Sequence, residues 1–121
     1  MKVVSLTEAN YQDTILEATQ ILSKGGSIVY PTDTVYGLGV NPFDDFAVRR
    51  LFRIKKRPAN KPVPLIVKSI AMAKKLAYID SRKEKILRAL WPGPVNIVLC
   101  KRDIISGVIS AGTATVALRV P

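Results

Sequence analysis

The densest chemistry in the sequence is Lys55-Lys56-Arg57-Pro58-Ala59-Asn60-Lys61-Pro62, four cations within seven residues on a path stiffened by two prolines. Prolines restrict the unbound chain, so less entropy is lost when the cations are held around a ligand. Preorganised cations grip phosphates and stabilise the charge that develops in phosphoryl or nucleotidyl transfer, where electrostatic positioning supplies most of the catalysis. The same residues also read as a basic surface loop, and composition alone leaves both readings open.

Three other positions offer chemistry. Thr32 and Thr34 lie two apart on an extended segment, so their hydroxyls face one side and can serve a small polar ligand or simply brace a turn. Arg119 interrupts the apolar run Val116-Ala117-Leu118-Arg119-Val120 on the face opposite Leu118. A charge there is either solvated or held by an anion, and a planar guanidinium suits a carboxylate. Trp91 reads as a core or helix-capping anchor.

What is missing narrows the chemistry further. The sequence has no His and one Cys, Cys100, which excludes a Ser-His or Cys-His catalytic pair, an intrachain disulfide and a structural zinc site. Neither a Gly-x-x-x-x-Gly-Lys-Ser/Thr loop nor a Gly-x-Gly-x-x-Gly fingerprint occurs. No apolar run approaches the roughly 18 residues of a membrane span, and the first dozen residues lack a signal-peptide pattern, so a soluble cytoplasmic protein is expected.

With 121 residues the chain fits one domain with a real core. Its formal charge of +10 is uneven: residues 1–48 carry −4, residues 49–88 carry +12 and the remainder +2. Such a cationic block attracts polyanions in a salt-dependent way, so a nucleotide, an RNA or an acidic partner is expected. Individual lysines such as Lys74, Lys75, Lys83 and Lys85 equally fit a solvated helical face.

These side chains need a scaffold, and the pattern is α/β. Val3-Val4 suggests a short strand, followed by a helix capped by Thr7 or Asn10 with Tyr11, Ile15, Ala18 and Leu22 on its apolar side and Gly25-Gly26 ending it. Residues 27–30 read as a short buried strand stopped by Pro31, and residues 32–39 as a hydroxyl-rich, glycine-containing turn. Asp44 or Asp45 caps a helix with the apolar stripe Ala47, Leu51, Ile54 and the cationic stripe Arg49, Arg53, Lys56. Pro58 ends that helix near Lys55 or Lys56, so Lys55 and Arg57 converge if the chain turns extended. Residues 63–67 form a strand, and Ser69 caps a helix to about Tyr78. Asp80 or Ser81 opens another, with a Ser81–Glu84 capping box and Ile86, Leu87 and Leu90 buried. Trp91-Pro92-Gly93-Pro94 breaks it. Residues 95–100 and 116–120 are strands joined by a loop over 103–113. The class is α/β with a twisted, mostly mixed open sheet flanked by helices.

Four segments in order, Tyr30-Pro31-Thr32-Asp33-Thr34-Val35-Tyr36-Gly37-Leu38, Lys55-Lys56-Arg57-Pro58 with Lys61-Pro62, Trp91-Pro92-Gly93-Pro94, and Thr115-Val116-Ala117-Leu118-Arg119-Val120-Pro121, resemble the YrdC-like family of threonylcarbamoyl-AMP synthases. The set spans almost the whole chain. The resemblance implies a YrdC/RibB-like fold and a nucleotidyltransferase that joins L-threonine, bicarbonate and ATP into L-threonylcarbamoyl-AMP, releasing pyrophosphate, for tRNA threonylcarbamoyladenosine modification. It implies that Thr34 contacts L-threonine and Arg119 clamps its carboxylate. Lys55 and Arg57 would hold ATP phosphates and the bicarbonate-derived group, with Lys61 and Thr115 also at ATP-contacting positions. Mg2+ would arrive with the triphosphate, since no carboxylate cluster marks a protein-held metal. Implied partners are double-stranded RNA or tRNA and the downstream tRNA threonylcarbamoyltransferase proteins.

The chain departs from the family in lacking a Ser-x-Asn segment after the Arg-Val-Pro strand and a threonine-contacting His after the Arg-Pro motif. Residues 1–121 are therefore expected to be one YrdC-like domain, incomplete at its C-terminus, that binds phosphate ligands weakly and turns over slowly or not at all. Two alternatives stand beside the enzyme: a non-catalytic RNA- or nucleotide-binding module of the same fold, and the carbamoyl-adenylate chemistry of hydrogenase maturation proteins. A single Cys and no neighbouring zinc module count against the latter.

Overall fold

The computed structural model describes residues 1–121, with the elements α1 (Tyr11–Ser23), β1 (Ser27–Tyr30), β2 (Gly37–Val40), α2 (Asp45–Ile54), β3 (Leu65–Ile66), α3 (Ile70–Leu76), α4 (Ser81–Leu90), β4 (Ile97–Cys100), α5 (Gly107–Ser110) and β5 (Thr115–Arg119). Three helices start where an acceptor side chain meets free backbone N–H groups. Asp44 accepts from the amides of Phe46 and Ala47, Ser69 from Met72 and Asp80 from Lys83. Each such cap contributes about 1 kcal/mol. The expected Ser81–Glu84 box does not form, because Asp80 takes the cap and places Ser81 inside the helix. Glu84 instead accepts from Lys74 Nζ at 3.0 Å and Arg88 Nη2 at 2.9 Å.

The mixed sheet is divided in two. β1 and β2 form an antiparallel hairpin, and a three-stranded sheet runs β3-β5-β4, with β3 parallel and β4 antiparallel to β5. The division corrects the reading of residues 32–39 as one turn, since Gly37–Val40 is β2. Its register sets Gly37 opposite Tyr30 and Gly39 opposite Ile28. The Tyr30 ring lies across both glycines: a Cβ added at Gly37 would stand 3.0 Å from Tyr30 Cζ, and one at Gly39 2.7 Å from Cε1. The glycines thus leave room for a ring, where the sequence suggested a bend.

One cluster of 14 buried residues forms the core, with Leu118 of β5, Leu99 of β4, Val48 and Phe52 of α2, Leu87 of α4 and Trp91 among them. Fully burying side chains of this size stabilises by roughly 1.5–3 kcal/mol each. The Trp91 indole N–H donates to the Val95 carbonyl at 2.9 Å, as an anchored core tryptophan requires.

Burial corrects several expectations. Ile54, Ile86 and Leu90 are exposed, while Val48 and Phe52 complete the α2 face, because the helix ends run past the margin of the core. No residue of α1 is buried, and β1 is half-exposed with Val29 outward. Val3-Val4 finds no neighbouring strand and stays irregular. The strand over 63–67 shortens to Leu65–Ile66, and the loop over 103–113 contains the short α5. No helix is long and apolar enough to cross a membrane.

Candidate active site

β5 alternates Val116 and Leu118 into the core with Ala117 and Arg119 on the other face. Arg119 pairs in register with Ile66 of β3, which places it at the sheet end nearest the hairpin turn. There its Nη1 donates to Asp33 Oδ1 at 2.7 Å, across 86 residues of sequence. The Arg119 side chain is 11% exposed, so the ion pair offsets a charge that burial would otherwise penalise.

The turn carrying Asp33 is tied by hydroxyls. Thr32 Oγ1 donates to the Val35 carbonyl at 2.6 Å and accepts the Thr34 N–H at 3.1 Å. It lies 3.2 Å from Thr34 Oγ1. Thr32 has one hydroxyl proton and spends it on Val35, so Thr34 must be the donor in the hydroxyl pair. Thr34 therefore presents an acceptor oxygen, able to accept a hydrogen bond from a ligand.

Lys55 and Arg57 converge through a left-handed residue between them, which corrects the extended turn expected from the sequence. Lys56 has φ 50°, and two bonds, Lys56 N–H to the Arg53 carbonyl and Arg57 N–H to the Phe52 carbonyl, close α2 over it. Arg57 then donates from Nε to the Lys61 carbonyl at 3.3 Å and from Nη2 to the Pro62 carbonyl at 2.7 Å. Neutral carbonyls orient the guanidinium without neutralising it, and neither Lys55 nor Arg57 has a carboxylate partner.

Thr34, Lys55, Arg57 and Arg119 line one cavity of about 340 Å³ together with Tyr30 and Asn96, and no carboxylate lines it. A unit anion about 4 Å from Lys55 or Arg57, the two without a carboxylate partner, gains on the order of 4 kcal/mol at a surface-like effective dielectric, so the hollow favours anions. A shallower hollow of about 570 Å³ beside α1 carries Glu8 and Asp13 and no cation, and repels them. Lys61 and Thr115 are not brought into the cavity lining. Lys61 is exposed and meets the site through its carbonyl, while Thr115 pairs with Cys100 at the far end of β5, about 13 Å of strand from Arg119.

Sequence reasoning missed Tyr30, Asp33 and Asn96. Tyr30 had a readable signal, two glycines alternating on the strand opposite an aromatic residue. Burial pushes its phenol above the ordinary tyrosine value, partly opposed by the charge of Arg119. Asp33 had no local signal, since its partner is remote in sequence. No group of three His, Cys, Asp or Glu side chains lies together.

Residues 20–121 match the Sua5–YciO–YrdC family, described as telomere recombination. The chain is 36% identical over 120 residues to a threonylcarbamoyl-AMP synthase of Pyrococcus abyssi, covering 98% of this chain and 35% of that protein. It is 39% identical to a threonylcarbamoyl-AMP synthase of Hydrogenovibrio crunogenus, covering 88% and 60%. The solved structure of P. abyssi Sua5 complexed with L-threonine superposes with a TM-score of 0.86 at 38% identity, over 91% of this chain and 33% of that one. The chain thus spans between about one third and three fifths of the length of these relatives.

Proposed function

From the premise that this chain belongs to the Sua5–YciO–YrdC family, we propose that it serves the synthesis of L-threonylcarbamoyl-AMP from L-threonine, bicarbonate and ATP. The observation that carries the proposal is the convergence of Thr34, Lys55, Arg57 and Arg119, from three separate stretches of sequence, on one carboxylate-free cavity.

The neutral amine of L-threonine adds to bicarbonate with loss of water, or to carbon dioxide with loss of a proton, to give a carbamate. A carbamate oxygen then attacks the α-phosphate of ATP, the bond to the β-phosphate breaks and pyrophosphate leaves. Both reactants are anions, so the demand on the protein is charge neutralisation and alignment, with no nucleophilic side chain. Arg119 takes the threonine carboxylate, and the Thr34 hydroxyl oxygen accepts a hydrogen bond from the amino acid. Lys55 and Arg57 hold the triphosphate and the carbamate together. Lys61 and Thr115 then serve ATP groups extending past the cavity. Mg2+ enters as part of the ATP complex and is substrate here.

The single 14-residue core, drawn from Val48 to Leu118, supports one YrdC-like unit over that stretch, and the proposed domain, residues 1–121, extends it to the N-terminal elements. The relatives' name, threonylcarbamoyl-AMP synthase, supports the product; we further take that product to serve tRNA threonylcarbamoyladenosine synthesis in the cytoplasm, passed on to a tRNA threonylcarbamoyltransferase. A second reading, an RNA- or nucleotide-binding module, draws support from the exposed cations Arg49, Arg53 and Lys56.

Pyrophosphate release with ATP, bicarbonate and L-threonine, each omitted in turn, separates the readings. The synthase reading expects release that needs all three and falls on the order of 100-fold in Arg57→Ala, the scale of a lost charged contact in the transition state. Release independent of threonine, or unchanged in Arg57→Ala, overturns it. Duplex RNA binding that weakens steeply with salt and ignores threonine favours the module.

A further inference from the structure

Asp33 touches a cavity residue, Arg119, through an ion pair, and the reaction assigns it no task. It is not among the residues lining the hollow, and its Oδ1 accepts from Arg119 Nη1 at 2.7 Å. Arg119 has five N–H donors, and its one side-chain hydrogen bond is the Nη1 contact to Asp33. The rest of the fork is left for a ligand carboxylate. Asp33 also sits between Thr32 and Thr34, whose shared hydrogen bonds fix the turn. One ion pair therefore ties the turn of the hairpin sheet to the end of the three-stranded sheet, and the two groups assigned to the amino acid, Thr34 and Arg119, stand on either side of it.

We infer that Asp33 is a positioning residue for amino-acid recognition: it fixes the spacing between the Thr34 acceptor and the Arg119 fork and so makes the site select a ligand carrying a carboxylate. The inference rests on the assignment of Arg119 to the threonine carboxylate.

Calorimetric binding of L-threonine and of L-threoninol, which replaces the carboxylate by a primary alcohol, tests this in the unaltered chain and in Asp33→Ala and Asp33→Asn. The unaltered chain should prefer threonine. Asp33→Ala should lose on the order of tenfold in threonine affinity, the scale of one charge-assisted hydrogen bond, with threoninol and ATP binding unchanged. Asp33→Asn, which keeps an acceptor oxygen, should restore most of the preference. If Asp33→Ala keeps the full preference, the positioning role fails and the synthase reading stands. If threonine, threoninol and ATP all weaken alike, Asp33 is merely structural. If the unaltered chain does not bind threonine, both readings fall together.

Discussion

Adding one methyl group at Gly39 should damage the cavity wall through Tyr30. The backbone there is ordinary β, outside the positive-φ region, so alanine carries no conformational penalty of its own. The cost is steric: the new Cβ would stand 2.7 Å from Tyr30 Cε1, about 0.7 Å inside the 3.4 Å at which ordinary contact begins. The aromatic ring is rigid and half-buried, so it must swing as a unit. Overpacking of this kind costs about 1–3 kcal/mol. Tyr30 lines the cavity, so its displacement also alters the space beside Arg119. Urea unfolding of Gly39→Ala, Tyr30→Ala and the double variant isolates the clash. With Tyr30 present, Gly39→Ala should destabilise by about 1–3 kcal/mol. With Tyr30 already truncated, the same change should be neutral or stabilise by up to about 1 kcal/mol, since glycine in a strand is entropically costly. Equal penalties in both backgrounds would refute the claim that the glycine exists to seat the ring.

Lys56→Gly should stabilise the chain by up to about 1 kcal/mol, since it relieves a left-handed conformation, whereas Lys56→Val should destabilise by more than 1 kcal/mol; chemical denaturation distinguishes the two. Its lysine and arginine partners hold the Glu84 carboxyl below the usual carboxylate range. The resulting stability is present at neutral pH and disappears as pH falls through the lowered value, so the unaltered chain and Glu84→Gln should converge in acid denaturation curves. Tyr30 behaves oppositely: a raised value means its neutral form is favoured, so its contribution is present below the ordinary tyrosine value and is lost as pH rises through the folded one. Ultraviolet titration of Tyr30→Phe should lack the corresponding high-pH phenol.

Local chemistry carried much of the fold. Asp44, Ser69 and Asp80 cap where their side chains fall before apolar periodicity, and Pro58 marks the end of α2 because it restricts Arg57. Burial was less legible. Periodicity places Tyr11 and Ile15 on one face of α1, but whether that face meets a core depends on packing that no local pattern encodes, and both are exposed. The site divides in the same way. Cations grouped within a few residues, Lys55 and Arg57, announce themselves, while the contact of Arg119 with Asp33 depends on how two sheets meet. Lys56 shows a subtler limit: a lysine in the left-handed position gives no warning, where a glycine would have signalled the turn that aims its neighbours.

The central claim is that the amino acid and the triphosphate occupy one hollow at the same time, held by Lys55, Arg57 and Arg119. Nuclear relaxation of the L-threonine methyl protons, with Mn2+ replacing Mg2+ in the ATP complex, measures that proximity directly. The account predicts strong paramagnetic relaxation that requires the chain, threonine and Mn2+–ATP together and is lost in Arg57→Ala. Both ligands binding with no such relaxation would contradict it.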